Sequence, residues 1–285
     1  MTAFFGLGLM GLPMATRLVH AGFAVRGADL AAAARAAFSG IGGAAFASAR
    51  EAASGASFLI TMLPDGAVVR EVVLSVADAL APGALVIDMS SSAPLGTRQL
   101  AEELAPRGLH LIDAPVSGGV KRAIDGSLAI MAGGDAAHIG RTRPLFEAMG
   151  KSIIHVGPLG SGHAAKALNN YVSAMGLQAA CEAAIIAEKF GIDPATLIDV
   201  FNVSTGRNNS TELKMKPHIL SGAFASGFSM ALMAKDLATA ADLADQLVVT
   251  AAGARSAAAL WAEALTSLGK TADHTEIYRH LAADI

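Results

Sequence analysis

Cysteine and charge are both scarce in this sequence, and each scarcity closes off a class of function. The single cysteine, Cys181, cannot form an intramolecular disulfide, which fits a reducing cytoplasm as the expected location. It stands in the apolar run Ala179-Ala180-Cys181 and reads as a buried, inert thiol rather than a nucleophile. Charged residues make up only 16% of the chain, and a net charge of −3 with a pI near 6.2 supplies no basic field. Neither nucleic acid nor membrane is therefore an expected partner, and any anion site must be local. The eight histidines, scattered from His20 to His280, contain no His-x-x-x-His pair and lie apart from clustered carboxylates, so no metal site is expected. The start Met1-Thr2-Ala3-Phe4-Phe5-Gly6 lacks the basic stretch and apolar core of a signal peptide, and no export is expected. Residues 171–186 are nearly uncharged, but Glu182 interrupts them and they fall short of the roughly 20 apolar residues of a bilayer span. A buried helix accounts for them better.

What is abundant is apolar surface, 53% of residues, enough for two domains of ordinary size. Through about residue 157 short apolar runs alternate with longer helical stretches. The strand candidates are Ala3-Phe4-Phe5, Phe23-Ala24-Val25, Phe58-Leu59-Ile60-Thr61-Met62, Leu85-Val86-Ile87-Asp88, His110-Leu111-Ile112, Leu128-Ala129-Ile130-Met131 and Ile153-Ile154-His155. Alanine-rich segments such as 13–21 and 68–80 lie between them, the alternation that a sheet with crossover helices demands. After Gly162 the strand signals vanish and long Ala- and Leu-rich segments follow, punctuated by Gly191, Pro194, Gly206, Pro217, Gly222 and Gly269. The expected organisation is an α/β, doubly wound domain over residues 1–160 and an all-α substrate and oligomerisation domain over 161–285. Residues 164–190, about 40 Å as a helix, join them. Helices apolar around most of their circumference need partners, so a homodimer or homotetramer is expected. No internal repeat or low-complexity linker is present beyond the richness in alanine.

Gly6-Leu7-Gly8-Leu9-Met10-Gly11 fits G-x-G-x-x-G between a strand and a helix candidate. In a Rossmann domain the first glycine permits the tight turn, the second lets backbone approach a pyrophosphate, and the third lets helix and strand pack closely. The helix N-terminus then faces the phosphates. About 20 residues on, Asp29 ends the run from Phe23, where an acid hydrogen-bonds ribose hydroxyls and repels a 2′-phosphate. This favours NAD. A contact from Arg26 to a phosphate keeps NADP open, and Asp29 also reads as a cap for a helix over residues 30–38.

Four blocks together resemble the β-hydroxyacid dehydrogenase family, which includes 3-hydroxyisobutyrate, tartronate semialdehyde and threonate dehydrogenases. They are Gly6-Leu7-Gly8-Leu9-Met10-Gly11-Leu12-Pro13-Met14, Asp113-Ala114-Pro115-Val116-Ser117-Gly118-Gly119, Gly160-Ser161-Gly162-His163-Ala164-Ala165-Lys166-Ala167-Leu168-Asn169-Asn170, and Lys235-Asp236-Leu237. They occur in the family's order and span nearly the whole chain. The resemblance implies a dehydrogenase of small hydroxy acids acting in an interdomain cleft, with Lys166 as the catalytic residue. Hydride transfer from a carbinol carbon needs a partner for the hydroxyl proton, and a lysine serves if burial and nearby positive charge bring its pKa down from about 10.4. Lys166 is alone in a nearly uncharged stretch, unlike a solubilising lysine. By the same resemblance Asn170, one turn on, orients the substrate. Ser117, Gly118 and Gly119 hold its carboxylate, Met62, Leu63, Pro64 and Ser91 line the nicotinamide side, and Lys235 of the Lys235-Asp236 pair reaches cofactor and substrate. Ser91 replaces the family's threonine but keeps a hydroxyl, and Val120-Lys121-Arg122 is more basic than many relatives show. Asn169 reads equally as substrate contact or backbone partner, and His163 as a structural residue or one that tunes Lys166.

The polar stretch Asn208-Asn209-Ser210-Thr211 suits a polyhydroxylated acid such as threonate. Two rival readings stand beside this one. An NADP-dependent semialdehyde or imine reductase is opposed by Asp29 and, since imine reductases generally lack this lysine, by Lys166. A non-catalytic dinucleotide-binding or chromatin-reader protein is opposed by Lys166 and by the absence of a basic module.

Overall fold

The structure, a computed structural model, describes residues 1–283. The strands are β1 (Thr2–Phe5), β2 (Val25–Ala28), β3 (Ala44–Phe46), β4 (Phe58–Thr61), β5 (Leu85–Asp88), β6 (His110–Asp113), β7 (Val116–Ser117), β8 (Leu128–Gly133) and β9 (Gly150–Gly157). Between them run α1 (Gly11–His20), α2 (Ala32–Gly40), α3 (Ala49–Ala53), α4 (Gly66–Val76), α5 (Pro94–Leu104), α6 (Gly119–Asp125) and α7 (Ala136–Met149). The chain continues through α8 (Ser161–Phe190), α9 (Pro194–Val203), α10 (Asn209–Leu213), a π-helical turn Met215–Leu220, α11 (Met230–Gln246), α12 (Ala252–Leu268) and α13 (Ile277–Ala282).

Six strands run parallel in the order β3-β2-β1-β4-β5-β6. β8 joins β6 antiparallel and carries β7 antiparallel and β9 parallel. This is a doubly wound sheet whose strand order reverses between β1 and β4, the place where such sheets bind ligands beyond their carboxyl ends. Successive side chains point to opposite faces. Phe4, Ile60, Ile87 and Ile112 enter one buried cluster and Phe5, Leu59, Val86 and Leu111 the other. Strands covered on both faces are apolar at every position, which is why β4, β5 and β6 stand out in the sequence.

Three strands depart from expectation. The second begins at Val25, not Phe23, because α1 ends in a Schellman motif: Gly22 has φ +87°, Gly22 N–H donates to Val19 O, and Phe23 N–H donates to Leu18 O. The unexpected β3 is a three-residue strand at the end of the sheet order, half-exposed and without a β-branched residue. The unexpected β7 has two residues. The helix expected over residues 30–38 starts instead at Ala32.

The chain divides into two compact units, Met1–Lys166 and Ala167–Ile285. The division falls inside α8, six residues beyond the expected boundary at 160/161, because the first turn of α8 is tied by hydrogen bonds to the end of β6. The second unit is helical, and among its described residues the only strand-like pairing is an isolated bridge between Ser229 and Asp273. Its core gathers Leu177, Cys181, Ile198, Met215, Leu237 and Trp261. At 30 residues α8 is about 45 Å long. Among the described residues no helix is long and apolar enough to cross a membrane.

The turn from β1 into α1 shows why its glycines differ. A Cβ on Gly11 would lie 1.8 Å from Gly6 O, and one on Gly6, at φ +91°, would lie 2.2 Å from Met62 O. A Cβ on Gly8 would meet nothing within 4 Å. Gly11→Ala should therefore lower stability by at least about 2 kcal/mol in denaturant unfolding, while Gly8→Ala stays within about 0.5 kcal/mol of wild type. Equal stability of the two variants would contradict this packing.

Candidate functional site

The first group of site residues lies beyond the carboxyl ends of β1, β2 and β4. Gly6 N–H donates to Ala28 O at 3.0 Å and Met62 N–H to Phe5 O at 2.8 Å, so the glycine turn is stitched to both neighbouring strand ends. Leu7 is buried, Gly8 and Leu9 are exposed, and Met10 is half-buried. Asp29 lies against this turn: its Oδ2 accepts from Leu7 N–H and its Oδ1 from Ala31 N–H, each at 2.7 Å. The carboxylate thus fixes the turn and the start of the next loop, while the N-cap of α2 is Ala31, without a side-chain cap. Arg26 turns elsewhere, donating to Ser54 O at 3.0 Å with its guanidinium over Phe46. Arg35, not singled out in the sequence, donates to Asp29 O and Leu30 O at 2.8 Å and puts a cation beside the acid. A glycine turn at this place, with open space where a Cβ on Gly8 would project, fits a dinucleotide's pyrophosphate approaching the backbone.

Asp88 organises the next strand ends. It accepts from Thr61 Oγ1 at 2.9 Å, Ser90 N–H at 3.0 Å and Ser92 Oγ at 2.7 Å, and Ser90 Oγ in turn accepts Leu63 N–H at 2.9 Å. These bonds hold Met62, Leu63 and Pro64 at the end of β4 beside the Ser90–Ser92 loop. Ser90 and Ser92 are buried, and Ser91 between them is half-buried.

Asp113, level with Asp88 in the β5–β6 register, performs the same task for α8. Its Oδ1 accepts from Gly160 N–H and its Oδ2 from His163 N–H, both at 2.7 Å. Orphan amides at a helix start are satisfied here by a carboxylate from a distant strand, which also suits the positive end of the helix. The His163 ring is enclosed with it: Nδ1 shares a 2.8 Å hydrogen bond with Thr97 Oγ1, and Nε2 lies 3.6 Å from Asp88 Oδ2. Asp88, Asp113 and His163 are 2%, 0% and 1% exposed, so His163 is a structural member of a buried polar cluster. A Cβ on Gly162 or Gly133 would strike Asp113, so small residues line its carboxylate. Both acids close apolar strands, Leu-Val-Ile-Asp and Leu-Ile-Asp, and that repeated pattern was the available signal for them.

Lys166 stands on α8 one turn past His163 and is half-buried. Asn170, one turn further along the same face, is buried; its Nδ2 donates to Asp236 Oδ2 at 2.5 Å, and its Oδ1 accepts from Asn169 Nδ2 at 3.1 Å. A carboxylate only accepts, so Asp236 decides which way the Asn170 amide points. Lys235 Nζ lies 3.7 Å from Asp236 Oδ1. Ser117 ends β7 half-buried, and Gly118 and Gly119 follow exposed, at φ +129° and +68°. The side chain of Arg122 packs where a Cβ on Gly118 would project, within 2.4 Å. Burial pushes the Cys181 thiol up to about 12, leaving it inert near neutral pH. The stretch Asn208–Thr211 is occupied differently from expectation: Asn208 Oδ1 accepts from Ser210 and Thr211 N–H while Thr211 Oγ1 accepts from Asn208 N–H, a capping box for α10.

A glycine turn at the sheet's switch point with an acid on the adjacent strand end marks the class of the first unit: a dinucleotide-binding domain. Residues 1–157 match the family described as the NAD binding domain of 6-phosphogluconate dehydrogenase, and residues 160–281 the NAD-binding of NADP-dependent 3-hydroxyisobutyrate dehydrogenase. A probable 3-hydroxyisobutyrate dehydrogenase of Mycobacterium tuberculosis is 40% identical, over 96% of this chain and 94% of its own. An NAD-dependent L-serine dehydrogenase of Pseudomonas aeruginosa is 39% identical over 85% and 84%. The solved M. tuberculosis 3-hydroxyisobutyrate dehydrogenase with L-serine superposes with a TM-score of 0.93 at 39% identity, covering 99% of both chains. The chain belongs to the β-hydroxyacid dehydrogenase family and is an NAD(P)-binding oxidoreductase of CH–OH groups.

Because Asp113 supplies two charge-assisted bonds in a dry site, Asp113→Ala should lose about 3 kcal/mol or more of stability in guanidinium unfolding. A loss under about 1 kcal/mol would show that the start of α8 does not depend on it.

Proposed function

We propose that the chain is an NAD-dependent dehydrogenase that oxidises a small β-hydroxy acid of the 3-hydroxyisobutyrate or threonate type, or reduces the corresponding semialdehyde. The observation that carries this reading is the placement of Lys166 and Asn170 one turn apart on α8, with the Asn170 amide oriented by its bond to Asp236. In this reading residues 1–160 bind the dinucleotide and 161–285 serve substrate binding and oligomerisation. The bound nicotinamide supplies the hydride acceptor. Ser117, Gly118 and Gly119 hold the substrate carboxylate through a hydroxyl and backbone N–H groups, Asn170 orients the carbinol, and Lys166 Nζ receives the hydroxyl proton. In the reverse direction Lys166 returns it. Gly6, Leu7, Gly8, Leu9, Met10 and Gly11 cradle the pyrophosphate, Met62, Leu63, Pro64 and Ser91 flank the nicotinamide, and Lys235 adds a cation. Asp29 selects NAD by repelling a 2′-phosphate. Exposed Val172, Ile186, Phe190 and Val203 on α8 and α9 support burial against a second copy of the chain.

A second reading, NADP-dependent reduction of a semialdehyde, is favoured by one observation, the Arg35 guanidinium beside Asp29. Steady-state rates with each cofactor decide between them. NAD should exceed NADP in kcat/KM by about tenfold or more, and Asp29→Ala should narrow that ratio. Lys166→Ala should fold, bind NAD and lose about two to four orders of magnitude in kcat. Near-normal turnover of that variant would remove Lys166 from the chemistry, and a preference for NADP would favour the second reading.

A further inference from the structure

The second unit holds a polar cluster that the proposed reaction does not use. Lys214 follows α10 and precedes the π-helical turn, at φ −122° and ψ −44°. Its Nζ meets Ser173 Oγ at 3.4 Å and, among the described residues, pairs with no carboxylate. Burial lowers its pKa, and the charge of Asp273 only partly offsets that. Asp273 is itself occupied by Ser226 Oγ, Gly227 N–H and both the N–H and Oγ1 of Thr275. Lys214 N–H donates to Ser210 O at 2.9 Å, which ties the two residues together across one turn. Ser210 is 1% exposed, yet among the described residues its Oγ has no hydrogen-bond partner. A cation largely out of water and a dry hydroxyl without a partner, one turn apart, are both costly unless something else completes them.

Ser173, whose Oγ meets Lys214 Nζ, is three residues past Asn170 on the same face of α8, about 5 Å along the axis. Ser173 and Lys214 are half-buried, so the cluster is reachable. We propose that Lys214, with Ser173 and Ser210, forms a distal subsite for a second oxyanion of the substrate, making the preferred substrate a hydroxy acid with a carboxylate at its far end. The anion completes Lys214 and takes the Ser210 hydroxyl hydrogen, while a monoacid leaves both unanswered. The stretch Asn208–Thr211 would then shape specificity through Lys214 beyond it, since its own polar groups are largely engaged in the capping box.

This inference rests on the hydroxy-acid reading of Asn170, and two separate measurements keep them apart. NAD reduction by any member of a panel of mono- and dicarboxylic hydroxy acids, whichever the enzyme prefers, tests that reading alone. Calorimetric binding of glutarate and butyrate to the full chain tests the subsite without turnover. Glutarate should bind about ten- to a hundredfold more tightly than butyrate. Lys214→Met should bring the two within about twofold, Lys214→Arg should retain most of the difference, and Ser210→Ala should reduce it by a smaller factor. Equal affinities in the wild type, or a difference that survives Lys214→Met, would overturn the proposal. If Lys214→Met shows no cooperative melting, the wild-type ratio and Ser210→Ala decide the matter.

Discussion

The Asp113 carboxylate accepts the amide hydrogens of Gly160 and His163, and through them fastens the first turn of α8 to the end of β6. Everything proposed for the chemistry is hung from that fastening. Lys166 lies one turn beyond His163, and Asn170 one turn beyond Lys166, so their positions along the helix follow from where it starts. A helix of 30 residues held only by apolar contacts along its side has register to slip, whereas two charge-assisted bonds at a dry terminus specify one start. Asp88 and Thr97 complete the enclosure by surrounding the His163 ring, and Asp88 also secures the loops that follow β4 and β5. One buried cluster thereby serves both the helix that carries Lys166 and the loops assigned to the nicotinamide side.

The glycine turn and Asp29 work by the same principle at the neighbouring strand ends. Gly6 and Gly11 are small because protein backbone occupies the space a side chain would fill; Gly8 is small although the protein leaves that space open. The distinction separates glycines required by the packing of the turn from one that the packing leaves free and the proposed dinucleotide site uses. Asp29 joins the two, since its carboxylate braces Leu7 N–H and is the group proposed to meet a ribose.

The parallel strands, the glycine turn and the lysine-bearing helix were legible because each leaves a local mark: apolar runs for doubly covered strands, fixed glycine spacing, and a lysine in a nearly uncharged stretch. What was illegible depends on partners distant in sequence. Nothing near Asp113 announces that it binds amides 47 and 50 residues away, although its place at the end of an apolar strand, level with Asp88, was a usable hint. The start of β2 was obscured by a helix-ending glycine, which drew Phe23 back towards α1. Polar residues misled at Asn208–Thr211, where composition suggested a substrate and the side chains mostly cap a short helix. Lys214, three residues beyond, carried no signal in the sequence because its significance lies in what fails to surround it.

The central claim is direct hydride transfer from a hydroxy acid to NAD, with Lys166 handling only the proton. A β-hydroxy acid deuterated at its carbinol carbon, incubated with the enzyme and NAD, tests it most directly when the reduced cofactor is analysed by mass spectrometry. The expected result is one deuterium on the nicotinamide ring for each acid oxidised. Reduced cofactor free of deuterium, or no cofactor reduction with any of 3-hydroxyisobutyrate, threonate, glycerate, 4-hydroxybutyrate and a hydroxy diacid, would contradict it.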